Sequence, residues 1–297
     1  MAFLIHISFF YQRYYDLPIT DFETSDDVAV ISRGEYLVYG PGRCADCHGD
    51  VTQRAAIARG ERVVLSGGFY EDIFLGKIVF PNITPDNTTG IGLLSNGEIA
   101  RFFRTGVNHR GEYGLPFMNY HRISQDDLIA IISFLRWQKP VSHKVEQHRY
   151  NFLGKLAMAY FIHPEKNQPP WPNIEDKKPS VKYGHYLVET LASCRECHTN
   201  RSLITGSYLS EFYAGGMPFE HSSEPHLSVT SPSLIPSPET GKIAGFTKQQ
   251  FISRMQAGQL LTWSPMPWGP YSRMTENDIE SIYLYLSTLK ASQPPEH

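Results

Sequence analysis

The chain has 297 residues, 41% of them hydrophobic and 19% charged, with a formal net charge of −3. This balance fits a folded globular protein with room for two domains, and excludes a disordered or membrane-embedded one. Neither half carries a basic excess, so nothing points to nucleic acid.

The first element is the apolar stretch MAFLIHISFF, which Gln12 and Arg13 bring to an end. A bilayer-spanning helix needs about 20 apolar residues, so this stretch is too short to cross. It also lacks the basic start and small-residue cleavage site of a complete signal peptide. Residues 1–32 are therefore read as an N-terminal segment, core-docking or interfacial, with a trimmed anchor or a mis-assigned start as the alternatives. No transmembrane span is evident in the sequence.

Next comes Gly34-Glu-Tyr36-Leu37-Val38, and ten residues after the glycine Cys44-Ala-Asp-Cys47-His48 begins. A Pro-rich loop follows, then Ser95-x-x-Glu98, a capping box in which hydroxyl and carboxylate satisfy the free N–H groups of a new helix. Gly106 marks its end. Ser124-x-x-Asp127 opens a further helix, LIAIISFLRW, whose apolar residues recur at three- and four-residue spacing. Residues 138–180 read as a linker ending in the extended cluster Pro169-Pro170-Trp171-Pro172. Within it FLGKLAMAYFI (152–162) is expected to form one helix packed across the domain junction, its Met and aromatic stripe filling a core.

The pattern then repeats at an offset of 150 residues. Gly184-His-Tyr186-Leu187-Val188 precedes Cys194-Arg-Glu-Cys197-His198. Thr247-x-x-Gln250 is a second capping box, Gly258 a second stop, and Thr275-x-x-Asp278 opens IESIYLYLSTL. Residues 291–297 form a tail. No strand pattern of useful length alternates anywhere, so both halves are expected to be mainly α.

The two pentapeptides use all four cysteines. A redox disulfide would explain C-x-x-C but not the histidine, and belongs in an α/β setting that is missing here. A zinc site of four sulfurs would likewise leave both histidines unexplained. C-x-x-C-H is the attachment signal of c-type haem: each thiol adds to one vinyl group, and the histidine ligates the iron. The sequence thus points to two covalently attached haem c groups, on Cys44, Cys47 and His48 and on Cys194, Cys197 and His198.

The stretches GEYLVYGPGRCADCH, PNITPDNTTGIG, EIARFFRTG, LPFMNY and DDLIAIISFL, with GHYLVETLASCRECHT and MPWGPY, give the chain its resemblance. It is similar to the dihaem cytochrome c family, including the cytochrome subunits of periplasmic sugar and alcohol dehydrogenases. The resemblance covers residues 33–137 and 181–290 and implies two tandem class I cytochrome c domains, each a three-helix haem-wrapping fold with long loops. In that family a glycine and an aromatic pack where the first and last helices cross; Gly34 with Phe134 and Gly184 with Tyr285 hold those positions. The dehydrogenase subunits typically add a third haem domain and a C-terminal anchor, and the expectation here is two domains with neither.

The sixth ligand should come from the loop between the second and third helices. The first loop offers Met118, after Pro116-Phe117, and also His109 and His121; the second offers Met266, in Pro265-Met266-Pro267, and Met274, next to a helix cap. Proline can hold a thioether in place at small entropic cost. Position, prolines and resemblance favour Met118 and Met266 as iron ligands. Tyr120 and Phe117, Trp263 and Trp268 flank them and would exclude water. The resemblance also implies that Asn82 and Thr84 line the haem edge, able to hydrogen-bond a propionate, with a proline-stiffened surface loop as the alternative; Arg43, just before the first pair, is another candidate partner. With no spare cysteine, thiolate-ligated haem is excluded.

These readings describe an electron carrier, not an enzyme. Its expected partners are a redox donor and acceptor, such as a dehydrogenase or a membrane respiratory or photosynthetic complex. Its expected location is the periplasm or the outer face of the bacterial inner membrane. The alternative is a dihaem peroxidase, in which one iron keeps an open position for peroxide.

Overall fold

The computed structural model describes residues 11–118, 120–164, 169–202, 206–220, 224, 226–237, 241–261 and 263–290. Contacts divide the chain into two compact units, residues 1–57 with 61–173 and residues 58–60 with 174–297. Both are rich in helix, each has one small sheet, and no barrel occurs among the described residues.

In the first unit, α1 (Val28–Tyr39) leads to the short α2 (Cys44–His48) and α3 (Arg54–Ala58), followed by α4 (Asn96–Thr105) and α5 (Gln125–Trp137). The packing of α1 on α5 forms the frame, and Leu37, Leu128, Ile131 and Ile132 are buried there. The crossing depends on Gly34. A Cβ there would overlap the carbonyl oxygen of Ala130 and lie 2.8 Å from the Cβ of Phe134, and a backbone carbonyl cannot move aside. Arg33 fastens the same pair of helices through Asp127 at 3.0 Å. In α4 both halves of the Ser95/Glu98 capping box are made, and the helix ends at Gly106 with φ 71°.

The second unit repeats this frame. In it α7 (Val181–Tyr186) runs on through a π-helical turn, Leu187–Leu191, to α8 (Cys194–His198), and α9 (Lys248–Gln256), α10 (Trp268–Ser272) and α11 (Glu276–Leu286) follow. A Cβ on Gly184 would overlap the carbonyl oxygen of Ser281 and lie 2.9 Å from the Cβ of Tyr285. Thr247 and Gln250 complete the second capping box. The chain then passes Gly258 at φ 68°, two residues beyond the end of α9.

Two features differ from the sequence reading. The first is strand: β1 (Tyr70–Ile73), β2 (Gly76–Val79) and β3 (Arg149–Tyr150) form an antiparallel sheet in that order, and β4 (Pro218–Glu220) pairs with β5 (Ser228–Thr230). These strands are short, and Tyr70, Glu71 and Asp72 all face solvent, so no alternation of burial marks them.

The second is α6 (Phe152–Tyr160), the linker helix. Asn151 caps it and donates its own N–H to Leu75 O at 3.0 Å, which seats the helix on the β1–β2 hairpin. Met158 is buried as expected, but Phe152, Leu153, Tyr160 and Phe161 are exposed, so the aromatic stripe does not fill a core. Spacing shows that such residues share a helical face, not which face turns inward.

Candidate haem sites

Each C-x-x-C-H pentapeptide is a single turn of helix entered through a left-handed residue, Arg43 (φ 43°, ψ 32°) before α2 and Ser193 (φ 48°, ψ 44°) before α8. Neither is glycine, so the same uncommon backbone has been kept twice at a cost. A helical turn places residues three and four apart on one face, which sets Cys44 beside Cys47 and His48, and Cys194 beside Cys197 and His198. None of the four cysteines is in a disulfide. Burial pushes the thiols of Cys44 and Cys47 up to about 12, so both are protonated at neutral pH.

The histidines are held alike. His48 Nδ1 lies 2.9 Å from Pro81 O, and His198 Nδ1 lies 2.8 Å from Pro232 O. A carbonyl can only accept, so each Nδ1 carries the proton and each Nε2 keeps a lone pair for a metal. Burial lowers both imidazole pKa values, which favours the neutral ligand form. The His48 and His198 carbonyls each accept a 2.8 Å hydrogen bond from the N–H of a left-handed glycine, Gly67 and Gly215.

A third repeated contact ties the distal loops to the cysteine turns. Tyr120 donates its hydroxyl to Gly42 O, and Tyr271 donates to Ala192 O, both at 2.6 Å. Met118 is half-buried and sits between Tyr120 and Phe117, whose ring meets Phe80 at 5.9 Å; Phe80 in turn meets the His48 ring at 6.0 Å. Met266 is also half-buried, with Ser264 accepting from its N–H and from Trp268 Nε1. Met274 is fully packed. His121 is a competitor of Met118 within its loop: Nδ1 is 3.2 Å from Phe103 O, and the buried Nε2 has no hydrogen-bond partner. Among the described residues, no three His, Cys, Asp or Glu side chains converge on a cation site.

No family model matches the chain. A dihaem cytochrome c-type protein of Cereibacter sphaeroides is 31% identical over 234 residues, 74% of this chain and 73% of that protein. The chain belongs to the dihaem c-type cytochromes. The cytochrome subunit of a fructose dehydrogenase from Gluconobacter japonicus is 25% identical, over 88% of this chain and 53% of its own length. A nicotinate dehydrogenase subunit from Pseudomonas putida is 26% identical, over 88% of this chain. The cytochrome thus spans about a fifth of the nicotinate dehydrogenase polypeptide and about half of the fructose dehydrogenase one. Membership makes it an electron-transfer protein.

The donor set of the cytochrome fits haem c. In each half two thiols and a buried imidazole share one helical turn, and a tyrosine ties the loop that carries Met118 or Met266 to that turn. Asn82 and Thr84, given a propionate by the resemblance, bond within the protein in this structure. The Asn82 amide donates to Thr89 Oγ1 and Val141 O, its oxygen accepts from Thr84 N–H and Oγ1, and Thr84 Oγ1 accepts from Val141 N–H. These bonds tie loop 82–89 to residue 141. Sequence reasoning also missed the carbonyls of Pro81 and Pro232 and the tyrosine hydroxyls. An offset of 151 between Tyr120 and Tyr271, close to that of the cysteines, was the available signal.

Proposed function

We propose that the protein carries two covalent haem c groups, one in each half, and passes electrons singly between a redox donor and a downstream acceptor. Residues 33–137 and 181–290 form the two haem domains, joined by the linker 138–180. Cys44, Cys47, Cys194 and Cys197 are the attachment points. His48 and Met118 ligate one iron, His198 and Met266 the other. The carrying observation is duplication in three dimensions: in both halves a prolyl carbonyl fixes the histidine tautomer, and a tyrosine anchors the methionine loop to the cysteine turn.

Bound haem supplies reversible one-electron chemistry at iron, and His/Met ligation favours the reduced state relative to bis-His ligation. The protein's own part is to hold each imidazole neutral and oriented, present a thioether on the other side, and exclude water with Phe80 and Trp268. Names of relatives support a dehydrogenase as donor; covalent haem attachment is the ground for placing the protein in the periplasm or on the outer face of the bacterial inner membrane. No helix among the described residues is long and apolar enough to cross a membrane.

Potentiometric titration with absorption spectroscopy tests this reading. Both ferric haems should show the near-infrared sulfur-to-iron band, and Met118→Ala and Met266→Ala should each abolish one contribution. Rapid peroxide turnover by a five-coordinate haem in the unmodified protein would replace this reading with the peroxidase.

A further inference from the structure

The carbonyl that fixes His48 belongs to Pro81, and a proline has no N–H with which to fasten its own segment. Its neighbours do so. Residues 65–69 supply one set of bonds: Phe80 donates to Phe69 O at 2.9 Å and accepts from Gly68 N–H at 3.0 Å, and Ile83 donates to Leu65 O at 3.0 Å. The linker supplies a second set. After Pro81, Asn82 Nδ2 donates to Val141 O at 2.8 Å; before it, the Val79 N–H donates to His148 Nδ1 at 3.1 Å. The linker also meets the first set, through His143 Nδ1 at 2.9 Å from Ser66 O.

The second half repeats the first set. Ser231 donates to Met217 O and accepts from Gly216 N–H, both at 2.9 Å, and Leu234 donates to Tyr213 O at 2.9 Å. The second set differs. Thr230, in the place of Val79, lies in the two-stranded sheet β4–β5, which no third strand joins among the described residues, whereas β3 of the linker lies along β2. The linker strap is thus an addition to the first centre, laid over a shared frame.

Of the two strap histidines, His148 is the one that a proton releases. Ser66 O accepts, so His143 Nδ1 carries hydrogen and keeps its bond when the ring is charged. The Val79 N–H donates, so His148 Nδ1 must hold a lone pair, which an imidazolium does not have. Around this ring, Glu146 pairs with Lys77 at 3.0 Å and with Arg149 at 3.9 Å, and Glu112 pairs with Arg110 at 2.7 Å. The Tyr150 ring lies 6.1 Å away, and burial pushes its phenol up to about 12, so it stays neutral. Partial burial of the imidazole, and then Arg110, lower the His148 pKa. The ring is therefore neutral at pH 7 and charges below the ordinary histidine value of about 6.5.

We propose that His148 is a positioning residue for the first haem centre: by accepting the Val79 N–H it holds the segment that orients His48, and protonation releases that hold. The inference rests on a haem being bound at His48. A hydrogen bond from Nδ1–H to a carbonyl makes the ligating imidazole more basic, so loosening it raises the potential of the iron. The first centre becomes the better electron acceptor as pH falls, through a step that Thr230 cannot supply.

Spectropotentiometry of the holoprotein from about pH 8 to about pH 5 tests this, with the first midpoint identified by its shift in Met118→Ala. In the unmodified protein the first midpoint should rise on acidification. His148→Asn offers an acceptor that does not titrate and should hold the neutral-pH midpoint throughout. His148→Ala offers none and should sit at the acid midpoint throughout. Neither should move the second midpoint. Nitrogen NMR of the reduced protein gives a readout apart from the iron: His148 Nδ1 should be unprotonated at neutral pH, and exchange of the Val79 amide should quicken as the ring titrates. A protonated Nδ1 at neutral pH overturns the proposal, as does a first midpoint with the same pH profile in all three proteins. His148→Ala held at the neutral-pH midpoint also overturns it, because the step would then come from charge alone. Intact mass separates the two readings. Two haems per chain with a flat first midpoint overturn the positioning role and leave the haem assignment standing, whereas no haem on Cys44 and Cys47 removes both.

Discussion

The two haem sites share a skeleton and differ in what surrounds it. In the first, Tyr39 donates to Val63 O at 2.6 Å and Leu65 is fully buried, giving a neutral wall. In the second, the corresponding positions are Glu189 and Tyr213. Tyr213 donates its hydroxyl to Glu189, and Arg195 pairs with Glu189 at 3.0 Å. Tyr213 adopts φ 67°, uncommon for a bulky residue, and burial together with Glu189 pushes its phenol well above the ordinary range. The contacts that hold ligands cannot vary without losing the ligand, whereas the walls that set the local field can. Two copies of one fold can thus become two centres of unequal potential.

The comparison breaks most visibly at the helix crossings. Gly34→Val or Gly184→Val should cost more than about 4 kcal/mol, because each forces a side chain into a backbone carbonyl. Each should remove haem from its own half, read as one haem per chain by pyridine haemochrome assay. Substitution of the methionines should separate the halves more finely. Gln259–Met274 contains no histidine, so Met266→Ala should leave an open, high-spin iron. Met118→Ala leaves His121, whose Nε2 lacks a partner, in the same loop. Its haem should stay low-spin with a potential lowered by on the order of a hundred millivolts.

Smaller effects sharpen the contrast. Tyr120→Phe and Tyr271→Phe should each cost about 1–2 kcal/mol in thermal unfolding, because both leave a buried carbonyl without its donor. Glu189→Gln leaves Arg195 without its principal partner and should raise the second potential by on the order of tens of millivolts, while Tyr39→Phe leaves the first unchanged. The smallest difference concerns acid. Glu98 is held below its ordinary pKa by Ser95, so its contribution is present above the ordinary value and fades as pH falls through the folded one. Its counterpart, Gln250, does not titrate. Hydrogen exchange along α4 should therefore rise at pH values where α9 is unaffected.

What the sequence disclosed follows from the range of the interactions involved. The cysteine turns, both capping boxes and both crossing glycines are local or repeated signals, and all have structural counterparts. The strands were hidden because their exposed residues do not alternate. The pairing of Tyr213 with Glu189 joins residues 24 apart through a left-handed turn, with no periodic trace. The partner of Asn82 and Thr84 at residue 141 lies in the linker, so that contact could not be foreseen. For α6, an apolar stripe in sequence is the same whether it meets a core or faces outward.

The most direct test of the central claim is the intact mass of the purified holoprotein, followed by peptide mapping. Two haem additions per chain are expected, one on the peptide holding Cys44 and Cys47 and one on that holding Cys194 and Cys197. A chain that carries one haem or none after expression with haem-attachment machinery would contradict the account.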